Sequence, residues 1–248
     1  MLQLARTAVK RSLPLPCAGA SRGLARGARG HGWLKRWQED GAAAFAKCAP
    51  PTPFDFEAGG AAADRTTCWL EFEADGEPAG RCRIELASDV LPATSANFAA
   101  LCAEGAGAGG YASSPVHFIE KGVGLAAGGV VRDGVGDHLR HRKAAASGDG
   151  GDLKRVSHAA GDAMYLEDEG FPIPHSEGGL VTMVNSGVDR NGSYFMLTVG
   201  PAPHLDGRCV SFGRIVEGLD VVQKIHDGTF TSRGVPAADL RVVACGVE

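Results

Sequence analysis

Two runs of alternating apolar and polar residues open the patterned part of the chain. They lie within CWLEFEADGEPAGRCRIEL, which begins at Cys68, and the turn-forming residues Asp75-Gly76-Glu77-Pro78 separate them. Alternation with a period of two is typical of half-buried strands, and a break containing Gly and Pro between two such runs indicates a hairpin. The pattern therefore predicts a β-hairpin over residues 68–86.

Apolar residues at helical spacing mark two further segments. The first is LPATSANFAALCAEG, in which Phe98, Leu101 and Cys102 fall on one face. Pro92 suits the first turn of a helix and Gly105 is a typical stop, so a helix is predicted between them. The second segment is GLDVVQKIHDG, and its spacing predicts another helix near the C-terminus.

The remaining apolar runs are short and predict strands. In chain order they read VHFI, GLAAGGVV, GGLVTMVN, YFMLTVG, CVSFGRIVEG and DLRVVACGVE. Many short strands with only two helices favour a mainly β fold, and closing the sheet into a barrel removes its exposed edges. We therefore expect a closed antiparallel β-barrel with two helices packed on it.

Composition and charge narrow the class of protein. The 248 residues are 44% hydrophobic and 22% charged, which is ordinary for a globular protein. There is no apolar run of about 18 residues, so no transmembrane helix is predicted. Eight of the 25 Lys and Arg residues, and none of the 29 Asp and Glu residues, precede Glu39. The rest of the chain is acidic, which argues against contact with nucleic acid.

The basic N-terminal segment has the composition of a targeting sequence. Residues 1–30 are rich in Arg, Ala and Ser and lack acids, as is typical of organelle transit peptides. We expect a mitochondrial presequence here, with a plastid presequence or a basic arm as the alternatives.

Residues 31–66 are predicted to be a linker or docking extension, because Pro and Gly interrupt regular structure there. Its apolar side chains are expected to contact either the chain's own barrel or another protein subunit. A loop over residues 130–165 is a second candidate contact with a partner. The apolar anchors of the extension are Trp33, Trp37, Phe54 and Phe56.

The cysteines and histidines give no sign of a metal site. The seven cysteines are widely spaced, odd in number and form no C-x-x-C pair, so free thiols are expected. His138 and His141 are interpreted as residues of a solvated loop rather than metal ligands. No metal and no other cofactor is predicted.

From Cys68 to Glu248 the order of these segments resembles the cyclophilin family of peptidyl-prolyl cis-trans isomerases. The matching sequence segments are DGEPAGRCRIEL, LPATSANFAAL, VHFI, AGG, MVNSGVDRNGSYFMLT and HLDGRCVSFGRIVEGLDVV. The resemblance implies an eight-stranded antiparallel barrel capped by two helices over residues 67–248. It also implies a mechanism in which an arginine donates a hydrogen bond to the prolyl nitrogen of the twisted amide, stabilising the transition state.

The substrate-facing positions depart from the pattern of the family. The catalytic arginine of F-H-R-I is replaced by Phe118, which has no hydrogen-bond donor. The positions given to Leu125 and Ala127 depend on a one-residue insertion before the Gly-Gly pair. Asn185 and Leu205 keep the family residue. The pocket positions implied by the resemblance are Gly124, Leu125, Ala127, Val184, Asn185, Tyr194, Met196, His204, Leu205 and Cys209.

Loss of a charged donor that acts in the transition state raises the barrier by about 3–4 kcal/mol, a factor of about 10²–10³ in rate. The isomerase site is therefore expected to be inactive or very weak. Lys121 and Arg132 lie near the lost arginine in sequence, but both are interpreted as solvated loop charges. His204 and Cys209 are interpreted as separate residues rather than a nucleophilic pair.

These observations lead to a hypothesis of function. A kept scaffold, a lost site and an added N-terminal extension favour a non-catalytic structural or accessory subunit of a mitochondrial complex. A respiratory complex, ATP synthase and the mitochondrial ribosome are the assemblies considered. One alternative is an active isomerase that serves as an organellar folding factor. Another is a chaperone-like protein that binds proline segments without turnover.

Overall fold

The computed structural model describes residue 56 and residues 65–104, 110–129, 165–185 and 187–248. Within these ranges the chain forms eleven strands, two α-helices and a short 3₁₀-helix at Pro203–Leu205. The helices are α1 Pro92–Ala103 and α2 Leu219–Gly228. The strands are β1 Thr67–Ala74, β2 Glu77–Leu86, β3 Ser114–Pro115, β4 Phe118–Glu120, β5 Gly124–Gly128, β6 Leu180–Asn185, β7 Asn191–Thr198, β8 Ser211–Glu217, β9 Thr231–Ser232, β10 Val235–Pro236 and β11 Leu240–Val247.

Nine strands form one strongly curled antiparallel sheet in the order β3-β11-β1-β2-β8-β6-β7-β5-β4. The end strands β3 and β4 are consecutive pieces of one segment, and they pair with β11 and β5 respectively. Between them the N–H of Val116 donates to Leu240 O (2.9 Å), and the N–H of His117 donates to Ala126 O (2.9 Å). The segment joins both ends of the sheet. Counted as one strand, it gives the eight-stranded antiparallel barrel that the sequence predicts.

The hairpin of β1 and β2 has the connection that its sequence indicates. Asp75 and Gly76 form a two-residue turn, with φ angles of 51° and 87°. Asp-Gly is favoured in such turns because both central residues need positive φ, which matches the twist of the flanking strands. Leu70 and Phe72 of β1 point into the barrel and are buried. The predicted hairpin is confirmed.

Both predicted helices form and pack on the sheet, α1 against β11 and β1, and α2 against β2 and β5. Leu91, at the N-cap of α1, makes no side-chain hydrogen bond. The Glu169 carboxylate accepts instead from the N–H groups of Ala93 (2.9 Å) and Thr94 (2.8 Å). These N–H groups have no partner within the helix, and an anion beside them is also favoured by the helix dipole.

An aromatic cluster fills the centre of the core. Phe98 of α1 lies 5.1 Å from Tyr111, 5.2 Å from Phe195 and 5.3 Å from Phe212, measured between ring centroids. All four rings are buried, and tilted or edge-to-face contacts of this kind add to the free energy gained by burial. The cluster fixes α1 on the barrel, because Phe98 inserts between rings from two different strands.

Phe56 is the one predicted anchor of the extension that the structure describes. Its ring lies 5.4 Å from the Arg65 guanidinium carbon and 4.8 Å from that of Arg214, measured to the ring centroid. Arg65 also donates to the backbone oxygen of Phe56 (3.2 Å). Phe56 therefore docks on the chain's own barrel. The other predicted anchors Trp33, Trp37 and Phe54, the segment 1–30 and the loop residues 130–164 lie outside the described residues.

Among the parts of the chain that the structure describes, no helix is long and apolar enough to cross a membrane.

Candidate functional site

The outward face of strands β4, β5 and β7 brings several predicted site residues together. Phe118 pairs with Ala126, and Ala126 in turn pairs with Met196. Directly paired residues point to the same face of a sheet. Tyr194, two residues from Met196, shares this face and pairs with Gly128. One surface therefore carries Phe118, Tyr194 and Met196. The resemblance implies this arrangement for the position of the arginine and for two pocket positions.

The assignment of Leu125 and Ala127 to the pocket is wrong. Both side chains are fully buried in the barrel core, on the face opposite to Phe118. The register of β4 with β5 places Gly124 and Ala126 on the outward face instead. The error is the presumed one-residue insertion, because a shift of one residue moves every side chain of a strand to the other face.

Phe118 packs against the β9–β10 hairpin. The turn residue Gly234 has a φ of 84°, and a Cβ atom built on it would lie 1.9 Å from Cε2 of the Phe118 ring. The N–H of Ile119 donates to Gly234 O (2.7 Å), which holds the hairpin beside β4. The Phe118 ring is thus covered on one side by the backbone of this turn.

Tyr194 fills the part of the outward face next to the Gly128-Gly129 pair. A Cβ atom on Gly129 would lie 2.5 Å from the Tyr194 ring, so the ring rests directly on the backbone. His117 stands 5.2 Å from Tyr194 between ring centroids, and its Nε2 donates to Gly128 O (2.8 Å). Tyr194 is only 2% exposed and Met196 only 7%. Tyr194 and Met196 therefore present little surface at the two pocket positions that the resemblance implies.

A chain of hydrogen bonds connects this face to the loop after β7. The ring of His175 contacts Asp206 Oδ1 through Nδ1 (2.8 Å) and Thr182 Oγ1 through Nε2 (3.0 Å). Thr182 pairs with Met196 on the outward face. A carboxylate only accepts, so Nδ1 carries a proton. Burial lowers the pKa of His175, only partly offset by Asp206, which favours the neutral ring with Nε2 accepting from Thr182.

Four of the remaining predicted positions gather around the turn that follows the 3₁₀-helix. The side chain of Asn185 donates to Arg208 O (2.6 Å), and the N–H of Cys209 donates to Leu205 O (3.0 Å). Burial raises the pKa of Cys209 to about 12, with the nearby Asp168 adding to the shift. Cys209 therefore stays a thiol at neutral pH and is no nucleophile, while His204 is exposed.

Val184 is half-buried at the irregular end of β6, between Met183 and Asn185. The amide of Asn185 is already engaged by its own loop, since the N–H of Gly187 also donates to Asn185 Oδ1 (3.4 Å). No local sequence pattern indicates a role for His175, Thr182 or Gly234. Only the long-range strand pairing shows that these residues flank the site.

The side chain of Lys121 is engaged at the end of α2. Its ammonium group donates to the backbone oxygens of His226 and Thr229 at the C-terminal end of α2. This position satisfies carbonyls that lack partners within the helix and complements the helix dipole. Arg132, the other predicted candidate, lies outside the described residues. Across the described ranges no three His, Cys, Asp or Glu side chains gather in a way that could hold a metal ion.

Comparison with known proteins agrees with this architecture. The family described as "Cyclophilin type peptidyl-prolyl cis-trans isomerase/CLD" matches residues 69–247. The chain belongs to the cyclophilin family. The matched residues include nearly all of the barrel. The family resemblance of the sequence segments is therefore confirmed for this domain.

Two relatives of the cyclophilin domain are longer proteins. The proteins named NK-tumor recognition protein of Mus musculus and of Homo sapiens are each 35% identical to this chain over 196 residues. The matched region is 75% of this chain but only 12% of each relative. The likeness therefore concerns one domain of those proteins.

Proposed function

We propose that this cyclophilin domain has lost prolyl isomerase activity and serves as a structural subunit of a larger protein assembly in mitochondria. The observation that carries the proposal is Phe118, which stands at the position of the catalytic arginine and packs against Gly234. An aromatic ring at this position has no hydrogen-bond donor for the prolyl nitrogen of a substrate.

The chemistry of the reaction makes this loss decisive. Rotation about an X–Pro bond has a barrier of about 18–20 kcal/mol, because amide resonance must be broken. A cationic donor lowers the barrier by stabilising the lone pair that develops on nitrogen. Among the residues that the structure describes, the outward positions of strands β4 to β7 contain no Lys or Arg. The paired outward positions around Phe118 are Glu120, Gly124, Ala126, Gly128, Thr182, Tyr194, Met196 and Thr198.

The rest of the molecule supports a binding role. The barrel core and the turns that define the cyclophilin fold are intact, and the N-terminal extension reaches the barrel through Phe56. The basic composition of residues 1–30 supports import into mitochondria. A respiratory complex, ATP synthase and the mitochondrial ribosome are the assemblies in question. The acidic charge of the body favours protein partners over nucleic acid.

A protease-coupled isomerisation assay on a proline peptide tests the loss of activity. We expect kcat/KM to lie at least about 10²-fold below that of an arginine-containing cyclophilin. Restoring the donor with Phe118→Arg is expected to raise the rate less than about tenfold, because the pocket positions Tyr194 and Met196 still depart from the family pattern. Phe230→Arg, at a side chain that is 77% exposed, is the matched control for added charge.

Wild-type turnover at the rate of an arginine-containing cyclophilin would contradict the proposal and favour the active folding factor. Peptide binding by the wild type without any effect on rate favours the chaperone-like binder instead. The assembly is tested separately, by native gel electrophoresis of mitochondrial extracts followed by detection of the endogenous protein. We expect migration with a high-mass complex, and a band at the mass of the free chain alone would exclude a stable subunit.

A further inference from the structure

A groove lies between the tip of the β1–β2 hairpin and the C-terminal half of α2. Its volume is about 560 Å³, in the range of cavities that hold an organic ligand. Phe230 borders the open side of the groove and is largely exposed. Several of the other lining side chains are small, which leaves room for a bulky apolar group. The apolar residues of the floor and walls are Ala74, Pro78, Ala79, Ile225, Ala238 and Leu240.

Contacts within the barrel hold both walls of the groove in place. On the hairpin side, the N–H of Asp75 donates to Asp239 O (3.0 Å), and the N–H of Asp239 donates to Asp75 Oδ1 (2.8 Å). On the helix side, Lys121 donates to backbone oxygens at the end of α2. A Cβ atom on Gly80 would lie 2.8 Å from the Val221 side chain, so α2 rests directly on β2. The groove is therefore preformed, and filling it requires little reorganisation of the barrel.

The rim of the groove is mainly acidic. Asp75 and Glu77 stand on the hairpin side, and both are exposed. Asp227, whose side chain is 79% exposed, stands near the end of α2. Among the described residues that line the groove, Lys224 carries the positive charge. An occupant that is complementary to this surface therefore combines bulky apolar side chains with basic residues beside them.

One segment of this chain has that chemistry. It reads WLKRW, from Trp33 to Trp37, and it lies outside the described residues. Leu34 and Trp33 precede Trp37 by three and four positions, a spacing that places apolar side chains on one face of a helix. Lys35 and Arg36 fall between them. The segment thus offers two large rings and two positive charges within five residues.

The length of the chain allows this segment to reach the groove. Arg65 holds Phe56 beside Glu85, near the end of β2, whereas the groove lies at Glu77, where the same strand begins. Eight residues of a strand span about 27 Å. Nineteen positions separate Trp37 from Phe56, and an extended chain of that length spans about 60 Å. A tether that can span the distance gives the segment a high effective concentration, so an untethered protein competes poorly for the groove.

We propose that the segment Trp33–Trp37 of this chain docks in the groove between the β1–β2 hairpin and α2. The two tryptophan rings cover the apolar floor, and Lys35 and Arg36 lie along the acidic rim at Asp75 and Glu77. The N-terminal extension is thereby fixed to its own barrel at two places, the aromatic anchor described above and this groove. The contact does not depend on the loss of isomerase activity.

Photo-crosslinking in the full-length chain tests this contact. p-Benzoylphenylalanine replaces Pro78, an exposed residue on the hairpin side of the groove, and the irradiated protein is digested with trypsin. We expect a link within one chain that joins residues 66–81 to residues 30–35 or 37–47, the two peptides that contain the tryptophans. The same probe at Thr229, on the helix side, replaces this variant if it does not fold.

Variants and a second probe position serve as comparisons. Changing both Trp33→Ala and Trp37→Ala is expected to lower the yield of the link at least about tenfold, because the apolar contact is lost. Phe54→Ala, in the same extension, and Phe230→Ala, at the open side of the groove, are the matched controls and should keep the link. The probe at Val247, which is 42% exposed at the far end of β11, should not link to either tryptophan peptide.

The charges of the segment are tested in the same assay. Lys35→Glu combined with Arg36→Glu is expected to lower the yield about two- to fivefold, as the loss of exposed ion pairs predicts. A link between two chains would show that a second copy fills the groove and would overturn the proposal. A link to residues outside 30–47, or no link in a folded protein, would also overturn it.

Discussion

At the scale of single residues, Phe118 is in direct contact with the turn residue Gly234. Gly234 has a φ of 84° and lies so close to the ring that a methyl group on it would overlap with Phe118. Glycine is thus required at this turn for two reasons, backbone conformation and the absence of a side chain. The two residues should therefore respond to mutation as a pair.

A double-mutant cycle measures this coupling. Gly234→Ala in the wild-type background is expected to lower the free energy of unfolding through both backbone strain and overlap with the ring. In the Phe118→Ala background only the strain remains, so the cycle isolates the overlap, and we expect a coupling energy of about 1–3 kcal/mol. Urea denaturation of the four proteins gives the value, and additive effects would show that the ring does not rest on Gly234.

The sequence shows which residues occupy the positions that the resemblance implies, but it does not show the orientation of their side chains. The segment VHFI aligns with F-H-R-I of the family, so the sequence alone assigns Phe118 to the arginine position. The segment GLAAGG, in contrast, can be aligned with the family pattern in two registers. The hydrogen bonds of β5 with β4 and β7 decide between these two alignments. Because these bonds join distant segments, local sequence could not show that Leu125 and Ala127 face the core.

At the scale of elements, the start of α1 depends on a residue far away in the chain. The first turn was predictable from Pro92, but the N-cap residue Leu91 makes no side-chain hydrogen bond. The cap is provided by Glu169, 75 residues beyond Thr94, whose N–H and hydroxyl groups both donate to it. A cap from a distant loop leaves no sequence signature. Strands of two residues, such as β3, β9 and β10, are likewise too short to show a period.

Removal of this cap gives a second prediction. Glu169→Ala is expected to lower the free energy of unfolding by about 1 kcal/mol, because two backbone N–H groups at the start of α1 lose their acceptor. Glu167→Ala removes an exposed carboxylate from the same loop and is the control, with an expected effect below about 0.5 kcal/mol. Equal effects of the two changes in urea denaturation would show that Glu169 does not cap the helix.

At the scale of the whole molecule, a buried ionic cluster connects the N-terminal extension to the barrel. Arg65, whose side chain is 1% exposed, contacts Glu85 (3.4 Å) and Asp89 (3.1 Å). Glu85 also accepts from Arg214 (2.7 Å), and the two guanidinium groups flank the ring of Phe56. The sequence predicted that Phe56 is an anchor, but whether it docks on the barrel or on another subunit was left open.

Loss of the anchor gives a third prediction. Phe56→Ala is expected to lower the free energy of unfolding by about 2 kcal/mol, through lost burial and two lost cation–π contacts. The same change should speed tryptic cleavage after Arg65, because the Phe56 ring packs against the guanidinium group of that residue. Phe230→Ala, at a ring that is 77% exposed, is the control and should leave both quantities unchanged. Equal behaviour of the two variants would exclude Phe56 as an anchor.

The closure of the barrel also determines how a partner can be recognised. Because one continuous segment pairs with β11 at one end and β5 at the other, the nine-stranded sheet of the described ranges offers no long row of free backbone N–H and C=O groups. Such rows are what allow an incoming peptide to add itself as an extra strand. We therefore expect a protein that binds this barrel to contact its side chains and loops. Its specificity can change by surface substitution while the backbone of the barrel stays the same.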